Sequence, residues 1–203
     1  MGNDLKPQEW AAPVILRGQH VNLEPLRSGD AEGLRAAVAD GELWRCWYTN
    51  VPMPNAVEAY ITSALKMQEA TDALVFSVRD AAGDLVGATR YYDLDAAVPR
   101  LSIGYTWYAQ RAQRTGLNTE AKLLLLGHAF ETLGCVCVAL ETSTFNHASR
   151  TAIARLGAMQ DGILRNHKRH ADGSVRDTVV FSIIDSEWPA VKRNLLARLA
   201  EHV

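Results

Sequence analysis

The chain has 203 residues, 48% of them apolar and 22% charged, with a formal net charge of −2 at neutral pH. That suffices for one well-buried core and is too little charge to draw the whole protein to nucleic acid or an acidic membrane. No run approaches the ~20 apolar residues of a membrane span, and the N-terminus lacks a basic-then-apolar signal pattern, so the expected location is the cytoplasm.

In chain order, residues 1–13 are polar, hold two prolines and predict a loose arm. Residues 21–26 alternate as a strand. Ser28-Gly29-Asp30 offers an N-cap to a helix through about Val38. Residues 43–50 carry Trp44, Trp47 and Tyr48 and stop at Val51-Pro52-Met53-Pro54. A second helix fits residues 55–70, where apolar side chains recur near helical spacing.

The period then changes. Residues 74–79 and 85–92 read as a hairpin about a Gly-containing turn at 80–84, and residues 100–108 as a third strand. A helix follows to about Leu133, then a buried strand over 136–141. Here Cys135 and Cys137 sit two apart on one strand face, which suits buried thiols better than a disulfide or a metal site. Asn146 starts a helix that ends at Leu156, with Gly157 just past its end. Residues 158–167 and 177–184 read as strands about a turn at Ala171-Asp172-Gly173, and residues 186–189 open a closing amphipathic helix.

No repeat or linker interrupts this order, so it predicts one domain over 1–203, with a core of about 17–185 and a closing helix over 186–203. The order β-α-α-β-β-β-α-β-α-β-β predicts an α/β protein with a mixed sheet and helices on both faces.

The stretch from Ile103 to Lys122 is the densest in chemistry. It runs from an aromatic strand through a basic loop into a helix. Unpaired N–H groups, the positive end of the helix dipole and two arginines, Arg111 and Arg114, meet there, which makes an anion site suited to phosphate. Gly116 lets backbone approach an anion without a Cβ.

In that strand–loop–helix context, Gln113-Arg114-Thr115-Gly116-Leu117-Asn118 and Thr142-Ser143-Thr144-Phe145-Asn146-His147-Ala148-Ser149 resemble the GNAT superfamily of acyl-CoA-dependent N-acyltransferases. The likeness is strongest to its RimJ/RimL-like branch of ribosomal-protein N-terminal acetyltransferases and covers about residues 17–185. The superfamily loop is written Gln/Arg-x-x-Gly-x-Gly/Ala. Gln113 and Gly116 match its first and fourth positions, Asn118 replaces the final Gly or Ala, and Arg114 replaces an extra glycine often found second.

The resemblance implies a mostly antiparallel sheet of about seven strands, splayed in the middle. It implies acetyl-CoA as cosubstrate and no metal. The loop residues Gln113, Arg114, Thr115, Gly116, Leu117, Asn118 and Thr119 would hold pyrophosphate. The strand backbone at Thr106, Trp107 and Tyr108 would pair with the pantetheine arm, and an N–H around Trp107 would face the thioester oxygen. Asn146 would bond pantetheine, Ser149 would lie near the sulfur and protonate the leaving thiolate, and Trp44, Trp47 and Tyr48 would shape the acceptor site.

The implied partners are acetyl-CoA or CoA and an amine, either a protein N-terminus or a small molecule, with no nucleic acid or membrane; look-alikes are commonly homodimers. The expected chemistry is direct transfer in a ternary complex, because no cysteine is placed for a covalent relay. The alternative is a non-catalytic CoA-binding module, since the glutamate that related ribosomal enzymes carry after this helix is replaced by His167-Lys168. His167, His147, Glu141, Glu24, Asp93 and Asp177 all stay open as the group that takes the amine proton.

Overall fold

The computed structural model describes residue 10 and residues 12–170 and 172–201. Most of the arm expected at 1–13, and Ala171 of the expected turn, lie outside the described residues. Eight strands form one sheet: β1 (Leu16–Arg17), β2 (Val21–Pro25), β3 (Ala73–Asp80), β4 (Leu85–Asp95), β5 (Arg100–Tyr108), β6 (Cys137–Ser143), β7 (Met159–Arg169) and β8 (Val175–Ile184). Their order is β1-β2-β3-β4-β5-β6-β8-β7, and among the described residues only β5 and β6 pair in parallel. The eighth strand is β1, whose two residues are too short to show a period of two. The helices are α1 (Ala31–Ala39), α2 (Val57–Glu69), α3 (Gly116–Gly127), α4 (His147–Leu156) and α5 (Trp188–Ala200). No helix among the described residues is long and apolar enough to cross a membrane.

Two neighbouring residues of β4 show where the layers lie, since successive side chains of a strand point to opposite faces. The Tyr91 hydroxyl donates to the Leu125 carbonyl of α3 at 2.6 Å. The Arg90 guanidinium lies 5.5 Å from the Tyr60 ring of α2. So α2 covers one face with α1 beside it, and α3 covers the other with α5 packed on it. Ala73 to Val78 of β3, buried throughout, reads as a continuous apolar run because both faces are covered.

The helix expected to reach Leu133 is α-helical to Gly127 and then widens, with the Leu133 N–H bonding the His128 carbonyl at 3.0 Å. Gly157 ends α4 at φ 105°, the left-handed C′ conformation its position predicts. Strand β6 begins at Cys137, so Cys135 sits before it rather than beside Cys137 on one strand face. Both thiols are free, and burial pushes Cys135 up to about 12.

Glu120 of α3 ties the start of the sheet down. Its carboxylate accepts the N–H groups of Gln19, His20 and Val21 at 2.9, 2.6 and 2.9 Å. A Cβ on Gly18 would fall 2.4 Å from that carboxylate, so the close approach requires glycine.

Two features part β5 from β6. Their pairing runs from Arg100–Cys137 to Ile103–Leu140 and stops. Against β4, Ala88 pairs with Trp107 and Arg90 with Gly104, so Tyr105 and Thr106 together oppose Thr89. This bulge, with Tyr105 at φ 52°, bends β5 away from its parallel neighbour.

Candidate active site

A cleft of about 1060 Å³ opens where β5 and β6 diverge. Ile103, Gly104, Leu140 and Glu141 line its apex, and Glu141 is the first residue past the last pair. Above it, the side of β5 that faced β6 has no strand partner among the described residues from Gly104 to Tyr108. Such an edge is a template for an extended, amide-containing ligand. Thr106, Trp107 and Tyr108 line the cleft along this edge. The Tyr108 hydroxyl is buried and has no partner among the described residues, and burial raises its pKa well above the usual phenol.

The basic loop lies at one end. Gln113, Arg114, Thr115, Asn118 and Thr119 line the cleft, whereas Gly116 and Leu117 are buried behind them. Thr115 caps α3 by accepting the Leu117 N–H at 3.2 Å, and the Gln113 amide donates to the Tyr108 carbonyl at 2.9 Å, fixing the loop to the strand end. The neighbour that a Cβ on Gly116 would meet is the His20 ring, at 3.3 Å, so packing against protein accounts for that glycine. Arg111 is drawn away to Asp40 at 3.3 Å, leaving Arg114 as the loop's cation in the cleft.

Arg114 stands at φ 59°, in the left-handed region that favours glycine. A side chain there costs roughly 1–2 kcal/mol, and glycine returns part of the gain through unfolded-state entropy. Arg114→Gly should therefore raise unfolding stability by up to ~1 kcal/mol. It should also weaken a diphosphate ligand several-fold by removing charge. Thermal unfolding paired with ligand titration checks both, and Arg114→Ala should share only the second effect.

On the far wall, Asn146 caps α4 by accepting the Ser149 N–H at 3.0 Å, and Asn146, His147, Ser149 and Arg155 line the cleft. Aromatic side chains close the other end: Tyr48, Tyr60, Tyr92, Tyr105 and Trp107, with the Trp107 indole donating to the Tyr60 hydroxyl at 3.4 Å. Of the three aromatics expected here only Tyr48 lines the cleft. Trp44 packs half-buried on the core. Trp47 packs on Phe145 and His170, at centroid distances of 5.2 and 4.8 Å, fastening the 43–50 segment to the loop after β6 and the end of β7. Neither lines the cleft. Cys46 does line the cleft, a thiol where the sequence placed none.

Of the six proton acceptors left open, Glu141 and His147 line the cleft. Lys168 pairs with Glu141 at 2.7 Å. Glu24 is held by Arg79 at 3.0 Å, and Asp93 accepts from Ser102 at 3.4 Å. His167 opens instead on a shallow hollow with Asn166, Arg169 and Val175. Asp177 braces the β7–β8 hairpin: it accepts the Asn166 N–H at 2.8 Å and pairs with Arg165, and the backbone bond holds its carboxyl below the usual range.

The sequence pattern missed one more cleft residue, Lys122. It lies one turn beyond Asn118 and Thr119 on the same face of α3 and is 7% exposed. Its ammonium donates to the Thr106 hydroxyl at 3.1 Å, which in turn shares a 2.7 Å hydrogen bond with Thr89. Burial pushes its pKa down to about 8. The charged lining is thus Arg114, Lys122, Arg155, Lys168 and Arg176 against Glu141, a cationic cleft in a chain of net charge −2. An anion cradle, a free strand edge and an aromatic pocket around a carboxylate suit a long, phosphate-bearing, amide-containing substrate and a second one meeting at the apex.

A profile of the acetyltransferase (GNAT) domain matches residues 20–159. An uncharacterized N-acetyltransferase, YoaA, of Bacillus subtilis (strain 168) is 25% identical over 174 residues, covering 84% of this chain and 96% of its own. A GCN5-related N-acetyltransferase from Brucella melitensis superposes with a TM-score of 0.82 at 31% identity, over 95% of this chain and 90% of that one. RimJ of Mycobacterium smegmatis, solved in complex with CoA-disulfide, shares the fold with a TM-score of 0.75 at 22% identity, over 93% and 95%. The splayed sheet, its loop and the profile that spans them agree: the chain belongs to the GNAT family and is an acetyltransferase.

Proposed function

We propose that the protein transfers acetyl directly from acetyl-CoA to a primary amine, as a RimJ/RimL-like N-acetyltransferase working through a ternary complex. The observation that carries this reading is the single cleft, which joins the loop at residues 113–119 to the aromatic pocket through the apex at Glu141. Arg114 and the first-turn N–H groups of α3 take the pyrophosphate, with Thr115, Asn118 and Thr119 around it. The backbone of Thr106 to Tyr108 pairs with the pantetheine arm, and an N–H near Trp107 meets the developing oxyanion. Asn146 and Ser149 hold the arm from the α4 side.

Glu141 takes the amine's proton, directly or through water. A cationic surround disfavours the acceptor's ammonium form and helps it shed that proton. For the same reason acceptors that carry a carboxylate or phosphate are preferred to those that carry a second cation. Tyr48, Tyr60 and Tyr92 receive the acceptor's apolar part, whether it belongs to a peptide N-terminus or to a small amine.

The test is initial-rate kinetics with acetyl-CoA against N-terminal peptides and small amines, run on the native protein and on Cys46→Ser. Direct transfer predicts intersecting double-reciprocal lines and a Cys46→Ser rate within about threefold of the native one, since the thiol touches no bond that changes. Parallel lines together with an acetyl group on Cys46 in mass spectra would replace direct transfer with a covalent relay. CoA binding with no turnover on any amine would leave a binding module.

A further inference from the structure

Lys122 is a buried cation with no anionic partner among the described residues. Among the described residues it forms no ion pair, and Thr106, its one hydrogen-bonded partner, is neutral. Burial of an unpaired charge is expensive, so a lysine nine-tenths buried on a helix face calls for a compensating group. Its placement says where that group arrives. Asn118, Thr119 and Lys122 form one stripe that descends from the basic loop to the β5 bulge, and all three line the cleft. The ammonium therefore sits a turn below the phosphate cradle, at the depth of Thr106, toward the apex where Glu141 stands. The other charged side chains in the cleft are Arg114, Glu141, Arg155, Lys168 and Arg176, on the loop, β6, α4, β7 and β8, and the imidazole of His147 on α4 joins them. The single carboxylate among them is already engaged by Lys168.

Resting on the acetyl-transfer reading above, we propose that Lys122 is a catalytic residue that meets the negative charge appearing on the thioester sulfur as the carbon–sulfur bond breaks. The acceptor nitrogen forms the new C–N bond with its lone pair and gives its proton to Glu141 or water. The C–S electron pair stays on sulfur, and a Lys122 N–H bond breaks to make the S–H bond. Lys122, left as a neutral amine, regains its proton from solvent. Burial holds its pKa near 8, which makes the ammonium a ready donor at neutral pH. Ser149 can hydrogen-bond the sulfur but brings no charge, and charge is what a thiolate in a low-dielectric cleft requires.

The experiment compares binding of CoA and desulfo-CoA to the native protein and to Lys122→Met, which keeps the side chain's length without its charge. The bound thiol is titrated by its thiolate absorbance, with circular dichroism confirming that the variant is folded. The native protein should lower the bound thiol's pKa by about one unit and, at a pH above the free thiol's own pKa, bind CoA about tenfold more tightly than desulfo-CoA. Lys122→Met should abolish both differences while leaving desulfo-CoA affinity unchanged. Equal loss of affinity for both ligands in Lys122→Met would assign the lysine to pyrophosphate and overturn the proposal. A native bound thiol that titrates as in free CoA would overturn it too. Failure of the native protein to bind either ligand refutes the acetyl-transfer reading itself, a distinct result. If Lys122→Met fails to fold, Lys122→Arg decides: a guanidinium cannot give up its proton, so thiol stabilisation should survive while turnover falls.

Discussion

Glu141→Gln is expected to lower kcat about 10²- to 10³-fold, the range that a positioned proton acceptor contributes, with acetyl-CoA binding unchanged. The substitution is isosteric and removes only charge and basicity. The proposed role follows from where Glu141 stands: it is the first residue after β5 and β6 stop pairing, so it lines the cleft at the apex, where direct transfer would bring the two substrates together. Lys168, at 2.7 Å, holds its carboxylate in place. A glutamine there neither accepts a proton nor offsets Lys168, and the second loss adds to the first. Rates at saturating amine, with thermal-shift titration of CoA as the binding control, settle the matter. A fall of less than fivefold would move the base role to His147, the remaining candidate that lines the cleft.

Glu120→Ala should be the most destabilising change at a buried polar residue, at about 3–5 kcal/mol. One carboxylate serves three N–H groups in succession, and its removal orphans all of them beside a residue that is itself 7% exposed. Each buried, unpaired donor costs ~1–3 kcal/mol, discounted where water can reach. For a domain of this size the loss corresponds to a fall of about 10 °C in Tm. Glu120→Gln recovers only part, because its amide offers one acceptor oxygen and presents an N–H to other N–H donors. Gly18→Ala should reproduce much of the damage without touching Glu120, since the new methyl would occupy the carboxylate's space. If both variants unfold within 2 °C of the native protein (roughly 1 kcal/mol or less), the clamp contributes little.

These expectations separate what local pattern carries from what it cannot. The runs that became β3, β4 and β5 were legible because burial leaves them as short, largely apolar runs set off by turn residues, and the α3 start because Thr115 caps it within two residues. The loop motif is local too, so its position in the cleft followed from order alone. Glu120 and Lys122 escaped for the opposite reason. In Asn118-Thr119-Glu120-Ala121-Lys122 both look like ordinary solvated helix charges, and only the sheet edge at Gln19 and the bulge at Thr106 make them buried and singular. Trp44 and Trp47 illustrate the same limit. Their type fits an acceptor wall, but the direction of a side chain on an irregular turn is decided by its tertiary neighbours, here the core and the Phe145–His170 pair. The six proton acceptors could be narrowed only once distances across the sheet were known.

The seam between β5 and β6 has a mechanical meaning as well. Through the sheet, five strands are joined to three by four residue pairs, Arg100–Cys137 to Ile103–Leu140. A sheet so nearly cut through is compliant along one line, and its two parts can breathe against each other with little loss of hydrogen bonding. Amides from Gly104 to Tyr108 should exchange with solvent earlier than those of β3, although both lie in the middle of the molecule. On the acetyl-transfer reading, a substrate arm laid along that line would add rungs to this ladder, and the exchange of those same amides should slow when CoA is bound.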